Sequence, residues 1–301
     1  MSITFQGTFT AIVTPFTNDG RQIDTERLER QMKAQAEGGV TGIVPCGTTG
    51  EAPTLTHDEH IEMLTATIEY AKPLGLNVIA GAGSNATAHA VELHRLAESL
   101  GADASLQVNP YYNKPSQEGL YRHFATIADA AALPVVLYNV PGRTGVALAP
   151  ETVARLAAHP HIQAIKEATG SLDSASAILT QCDIALLSGD DSMTLPFASI
   201  GGRGVVSVLS NLLPARVAAL CDAFLHDRWD EARAIHFELF SLARGLLSLD
   251  TNPIPIKIAM QLVGMDNGVL RLPMCAPGDA VIEQIEKLLH TNGVQPNMAL
   301  A

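Results

Sequence analysis

The sequence has little positive charge. Its 301 residues include 19 lysines and arginines against 31 aspartates and glutamates, giving a formal net charge of −12. Nucleic-acid-binding proteins use basic surfaces to attract phosphates, and no basic cluster occurs along this chain. We therefore expect no nucleic acid partner.

Long apolar runs and metal-binding motifs are also missing. No run of about 18 apolar residues occurs, and no basic segment precedes an apolar one at the N-terminus, so neither membrane spanning nor export is predicted. We expect a cytoplasmic protein that does not bind membranes. The four cysteines lack CxxC spacing, which predicts free thiols. No HExxH motif accompanies the histidines, so we expect no metal.

Short apolar segments dominate what is present, and 47% of the residues are hydrophobic. Eight runs rich in Val, Ile, Leu and Thr alternate with segments whose apolar residues recur at helical spacing. The runs occupy residues 8–16, 41–47, 77–83, 104–110, 134–140, 162–168, 184–190 and 204–211. Such apolar strands between amphipathic helices indicate a parallel sheet that is buried on both faces.

Eight such units predict an α/β fold, the (β/α)8 TIM barrel. A doubly wound open sheet is the alternative, but no GxGxxG motif follows the first strand. After residue 213 only helical patterns remain. We therefore expect a catalytic barrel over residues 1–225 and a C-terminal helical region, residues 226–301, packed on it.

One of the six lysines, Lys166, ends the sixth apolar run in HIQAIKEATG. Active sites of TIM barrels lie at the C-terminal ends of the strands. Burial there disfavours an ammonium and leaves a free amine, which can form a Schiff base with a ketone. A structural ion pair or a solvent-facing lysine is the alternative. Glu167 is expected to point away from the barrel interior, because successive strand residues alternate faces.

Other polar residues follow neighbouring strands. GTTG at 47–50 can turn backbone N–H groups toward a carboxylate or phosphate, although ordinary turns have the same composition. Arg143 can bind a carboxylate with two hydrogen bonds or lie on the surface. Asp190 and Asp191 resemble a magnesium pair but equally fit helix capping.

Longer motifs span most of the chain: CGTTGEAPTLTHDEH (46–60), NPYYNKPSQEGLYRHF (109–124), LYNVPGRTG (137–145), IKEATG (165–170) and NPIPIK (252–257). On these the sequence resembles the dihydrodipicolinate synthase family, within the pyruvate-dependent class I aldolase superfamily that includes N-acetylneuraminate lyase. The resemblance implies a lyase of lysine and diaminopimelate biosynthesis. Its reaction condenses pyruvate with L-aspartate 4-semialdehyde to give 4-hydroxy-tetrahydrodipicolinate and water.

Two other functions stay open on the sequence. One is a related aldolase or hydratase that acts on N-acetylneuraminate or a 2-keto-3-deoxy-sugar acid; the arginine of NVPGRTG disfavours it, because sugar-specific relatives usually lack this residue. The other is a barrel that has lost activity and serves as a binding protein, which is disfavoured because every catalytic position carries the expected residue.

The resemblance also implies roles for individual residues. Lys166 would carry pyruvate as an imine without any further cofactor, and Tyr138, Thr48 and Tyr112 would transfer protons. Tyr112 would reach in from a neighbouring subunit of a homotetramer, a dimer of dimers. The implied substrate-binding residues are Thr49 for the pyruvate carboxylate, Arg143 for the semialdehyde carboxylate, Gly189 and Val206.

In family members that lysine inhibits, an effector pocket lies at a dimer interface. The positions matching it are His57, His60, Asn85, His89 and Tyr111. A glutamate usually binds the ammonium of the effector where His89 stands, and Ala52 and Pro53 replace the usual Ser-Ala. A histidine offers no fixed negative charge, so we expect weak or absent inhibition by lysine.

Overall fold

Eight parallel strands close into a barrel in the computed structural model, which describes residues 3–295. Each strand pairs with the next along the chain, and β8 returns to pair with β1. This confirms the predicted TIM barrel. The strands are β1 Gly7–Ala11, β2 Gly42–Val44, β3 Asn77–Gly81, β4 Ala104–Val108, β5 Val135–Asn139, β6 Ile162–Glu167, β7 Ala185–Ser188 and β8 Gly204–Ser207.

Each of the eight predicted runs overlaps one strand, but the runs extend too far at their C-terminal ends. The first run continues to residue 16, whereas β1 ends at Ala11. Ile12, Val13 and Phe16 remain fully buried beyond the strand. Their apolar character therefore reflects burial in the core beyond β1, where Ile12 keeps one backbone hydrogen bond to Val44 and Phe16 forms only an isolated bridge with Ile23.

Helices cover the outside of the barrel. Asp24 caps the first helix by accepting from the Arg27 N–H, and Gly101 ends the third in a left-handed conformation. The helices are α1 Thr25–Glu37, α2 His57–Leu74, α3 Thr87–Leu100, α4 Gln117–Ala128, α5 Pro141–Thr144, α6 Pro150–Ala157, α7 Leu172–Leu179, α8 Thr194–Ala198, α9 Pro214–Leu225, α10 Trp229–Leu249, α11 Ile254–Leu262 and α12 Asp279–Thr291. None of these helices within residues 3–295 is both long and apolar enough to cross a bilayer.

The C-terminal helices share a hydrophobic core with the outer face of the barrel. Val205 of β8 packs in one cluster with Leu220 of α9, Leu242 of α10 and Ile285 of α12. The division predicted after residue 225 falls between α9 and α10. Residues 296–301 of the predicted helical region lie outside the described residues.

Candidate active site

Lys166 points into the barrel near the C-terminal end of β6. Its side chain belongs to the interior face, and the residue is only 6% exposed. Tyr138 is its direct neighbour on β5, and Lys166 Nζ lies 4.2 Å from the centroid of the tyrosine ring. The amine therefore lies over the face of the tyrosine ring in a largely buried space, which suits imine chemistry with proton transfer.

Gly189, after β7, provides room for the Lys166 side chain. A Cβ atom at this position would lie 2.6 Å from the Ala168 Cβ and 3.2 Å from both Cγ and Cε of Lys166. Val206 of β8 is fully buried in the cluster that fills the barrel interior and includes Tyr138. Both residues thus shape the interior around the amine.

Glu167 lies on the opposite face of β6, as strand alternation predicts. One carboxylate oxygen accepts from the Thr169 N–H at 2.7 Å, and the other accepts from the Asn139 amide at 3.0 Å. Burial raises the pKa of Glu167, while the hydrogen bonds from Thr169 and Asn139 oppose this shift. Glu167 therefore stabilises the end of β6 by hydrogen bonds on the outer face of the barrel, and it forms no ion pair with Lys166.

The GTTG turn follows β2 and places two threonines at the same rim. Thr48 lines the cavity described below, whereas Thr49 is buried at 3% exposure. The Thr49 hydroxyl accepts a hydrogen bond from the Asn252 amide at 3.0 Å. The turn thus contacts the segment immediately before α11.

Arg143, in α5, reaches the same segment. Its Nη2 donates to the Asn252 carbonyl at 3.1 Å, while the rest of the side chain is exposed and lines the cavity. The guanidinium therefore retains donors for an incoming carboxylate.

Tyr112 is not part of this arrangement in the single chain. It is 91% exposed, has a left-handed backbone (φ 75°), and lies outside the cavity lining. A left-handed tyrosine is uncommon, and strain of this kind concentrates at functional positions.

One cavity of about 470 Å³ opens at this rim. Thr48, Tyr138 and Arg143 line it. The same cavity is also lined by most of the residues that match the effector pocket, namely His57, His60, His89 and Tyr111. Asn85 lies beside them and donates to the Tyr111 carbonyl at 3.2 Å. In the single chain Thr48, Tyr138 and Arg143 therefore share one continuous space with the effector positions, whereas Lys166 is not among the residues that line it.

The charge of this cavity is unlike that of the chain as a whole. No aspartate or glutamate is among its lining residues, and Arg143 supplies a fixed positive charge. Burial lowers the pKa of His60, and repulsion from His57 and His89 lowers it further. An acidic protein thus presents a locally non-acidic cavity, which favours entry of anionic substrates.

Asp190 caps the short helical turn that follows it, and Asp191 binds the backbone after β8. Asp190 accepts from the N–H and the hydroxyl of Ser192, and Asp191 accepts from the N–H groups of Val208 and Leu209 at 3.0 Å. Of the two sequence interpretations, the structure favours capping. Within residues 3–295, no group of three or more His, Cys, Asp or Glu side chains converges as metal ligands.

The sequence interpretation missed three residues beside the GTTG turn. Asn252 binds Thr49, and Lys257 of α11 pairs with Glu51. A lysine inside IPIKIAMQL, where every near neighbour is apolar, is the signal that could have identified Lys257. Asn252 and Glu51 carry no comparable local signal.

Comparison with known proteins matches the chain to the model of the dihydrodipicolinate synthetase family over residues 4–292. The chain is 52% identical over 278 residues to the 4-hydroxy-tetrahydrodipicolinate synthase of Pelobacter propionicus, covering 92% of this chain and 94% of the relative. The structure of the enzyme of that name from Methylacidiphilum fumariolicum SolV is 46% identical, with a TM-score of 0.93 and 96% of each chain covered.

A monomeric dihydrodipicolinate synthase variant is also similar in structure. It has a TM-score of 0.93 and 40% identity, and the match covers 96% of this chain and 97% of the variant.

Proposed function

The chain belongs to the dihydrodipicolinate synthetase family, and we propose that Lys166 performs the chemistry of this family through an imine with pyruvate. The activity of the chain is that of a 4-hydroxy-tetrahydrodipicolinate synthase, an enzyme of the lyase class that acts on small molecules. The buried Lys166 amine beside the Tyr138 ring is the observation that carries the mechanistic proposal.

In the first stage the Lys166 amine attacks C2 of pyruvate. The carbinolamine loses water, and an imine remains. Loss of a methyl proton then gives the enamine, with Tyr138 and Thr48 relaying protons at the rim. Thr49 binds the pyruvate carboxylate.

In the second stage the enamine carbon attacks the aldehyde of L-aspartate 4-semialdehyde, whose carboxylate is bound by Arg143. The amine of this substrate then attacks the imine carbon. This closes the ring, breaks the bond to Lys166, and releases 4-hydroxy-tetrahydrodipicolinate. We propose that the enzyme needs no cofactor other than the covalent imine and that it works in the cytoplasm without nucleic acid or membrane partners.

Tyr112 completes the proposed proton relay from a neighbouring subunit of a homotetramer. Its 91% exposure and its absence from the lining of the cavity in its own chain support this role. Mixing two inactive variants, Lys166→Ala and Tyr112→Phe, tests this role. In a hybrid oligomer, a site with Lys166 from one chain and Tyr112 from the other has both residues intact. Activity regained on mixing supports the shared site. If the hybrids assemble but no activity returns, Tyr112 does not act across subunits.

Substrate choice is tested by comparing turnover of L-aspartate 4-semialdehyde, N-acetylmannosamine and glyceraldehyde in the presence of pyruvate. We expect turnover of the first and little of the other two, because Arg143 matches a carboxylate and not a sugar hydroxyl. The Arg143→Ala variant should lose most of its kcat/KM for the semialdehyde while still forming the imine. Preference for either sugar-type aldehyde would contradict the proposal.

A further inference from the structure

A buried ion pair joins the GTTG turn to the C-terminal helices. Glu51 directly follows the turn, and its Oε1 lies 2.9 Å from Nζ of Lys257 in α11. The two side chains are 1% and 0% exposed. Buried charges of this kind need complete pairing, because water cannot compensate them.

The Lys257 side chain donates three hydrogen bonds. Besides Glu51, it donates to the carbonyl of Thr14 at 2.9 Å and to the carbonyl of Val269. The second oxygen of Glu51 accepts from the Arg271 N–H at 3.1 Å. One ammonium and one carboxylate thus tie together the loop after β1, the turn after β2 and the chain that follows α11.

The contacts of the Glu51 carboxylate accompany an unusual backbone conformation at the same residue. It is left-handed, with φ 53° and ψ 33°, a conformation that a glutamate adopts only where its surroundings impose it. Its N–H donates to the Thr48 carbonyl at 3.1 Å. Because Glu51 and Thr48 share this backbone hydrogen bond, a shift of the Glu51 carboxylate would also shift Thr48.

The same C-terminal segment holds the turn at a second point. Asn252, which lies just before α11, donates to the Thr49 hydroxyl. One contact is made to the side chain of Thr49 within the turn, and the other to Glu51 directly after Gly50. The placement of α11 therefore fixes both threonines relative to the barrel.

We propose that the Glu51–Lys257 pair positions residues for the reaction. It holds Thr48 and Thr49 at the places relative to the Lys166 amine that the reaction requires. This inference rests on the proposed function. The competing explanation is that the pair contributes only to folding stability. The two explanations differ in what happens to substrate binding and proton transfer when the pair is removed from a chain that still folds.

The test uses the double variant Glu51→Gln with Lys257→Met, because removing one partner alone would leave a buried charge unpaired. We expect the KM for pyruvate to rise about tenfold or more, and exchange of the pyruvate methyl protons to slow by a similar factor, since small misplacements of binding groups have effects of this size. Trapping at saturating pyruvate should still label Lys166.

A double-mutant cycle with Thr49→Val distinguishes an effect on the position of Thr49 from an effect on folding stability alone. If the pair acts through Thr49, adding the double substitution to Thr49→Val should raise the KM for pyruvate little further. Independent effects would instead multiply. The control is Gln35→Leu, which breaks buried hydrogen bonds to Thr10 and Ser210 away from the turn. It should lower the Tm and leave the KM unchanged.

Hydrogen exchange supplies a readout that does not depend on activity. Amides in residues 46–55 should exchange faster in the double variant than in wild type, while those of β6 stay protected. Unchanged exchange in this segment together with an unchanged KM would overturn the positioning role. Absence of pyruvate trapping in the wild-type enzyme would instead overturn the proposed function, so the two failures are distinguishable.

Discussion

At the scale of single residues, the space around Lys166 exists because residue 189 is a glycine and has no side chain. An alanine there would place a methyl group 2.6 Å from Ala168 and within 3.2 Å of the lysine stem, which must then move. We expect Gly189→Ala to lower kcat by about 10-fold, because the lysine stem must shift by a few tenths of an ångström and a misplacement of about 1 Å costs about 100-fold.

The control for this substitution is Gly278→Ala, because nothing lies within 4 Å of a Cβ at that position. Its kcat should equal that of wild type. Comparing steady-state kinetics of the two variants, with circular dichroism to show that both fold, checks the prediction. Wild-type kcat in Gly189→Ala would show that the lysine tolerates the displacement.

At the same scale, we expect the response to lysine to depend on His89. Its ring Nδ1 lies 3.3 Å from the Glu92 carboxylate, and both side chains are about half exposed, so the site offers no buried fixed negative charge to an ammonium group. We expect no inhibition of the wild type at micromolar lysine. His89→Glu should introduce or strengthen inhibition. A lysine titration of both proteins checks this, and half-inhibition of the wild type at micromolar lysine would contradict it.

The sequence allowed Lys166 and the outward direction of Glu167 to be predicted, because strand alternation is a local property. It did not allow the contacts of Asn252 with Thr49 or of Lys257 with Glu51 to be predicted. Each of these contacts joins residues about 200 positions apart. Only closure of the barrel and docking of α11 bring them together.

At the scale of elements, an ion pair fixes the start of α2 to the chain after α11. Arg271 donates two hydrogen bonds to Glu59, at 2.8 and 2.6 Å, and these lower the pKa of Glu59 to about 2. Both side chains are largely buried. Stabilisation from this group is complete above its ordinary pKa of 4.5 and is lost as the pH falls from 4.5 toward 2.

We therefore expect Glu59→Gln to cost about 1–2 kcal/mol at pH 7, because solvent screens part of this interaction, and the difference from wild type to shrink below pH 4.5. Urea unfolding of both proteins between pH 7 and pH 3 measures the difference. Glu118→Gln, at an exposed ion pair with Arg122, is the control and should change stability little. A difference for Glu59→Gln that stays constant over this pH range would contradict the explanation.

Strand positions were predictable at this scale, and strand ends were not. Hydrophobicity indicates burial, and burial continues beyond the end of a strand wherever the following loop packs against the core, as it does at Val13. The segment from 252 to 257 shows the same limit, because its partners in the GTTG turn are defined only by the tertiary fold.

At the scale of the whole molecule, buried neutral histidines govern stability in mild acid. Burial lowers the pKa of His94 and of His123 to about 4. The unfolded chain binds these protons near pH 6.5 and the folded chain does not. Their contribution to stability is therefore complete above pH 6.5 and is lost as the pH falls from 6.5 to 4.

We expect His123→Gln, which can keep the hydrogen bond to Thr87, to reduce this loss by about 3 kcal/mol between pH 6.5 and 4. His290→Gln is the control, since His290 is exposed on α12, and it should leave the pH profile unchanged. Denaturant unfolding across this range measures both. Identical profiles for wild type and His123→Gln would show that His123 does not govern the acid response.

The central claim is that Lys166 carries pyruvate. Borohydride reduction in the presence of pyruvate, followed by mass mapping of peptides, tests it directly. The expected result is a single adduct on the peptide that contains IKEATG, lost in Lys166→Ala and retained in Lys257→Arg if that variant folds. An adduct on another lysine, or no adduct in the wild-type enzyme, would contradict the account.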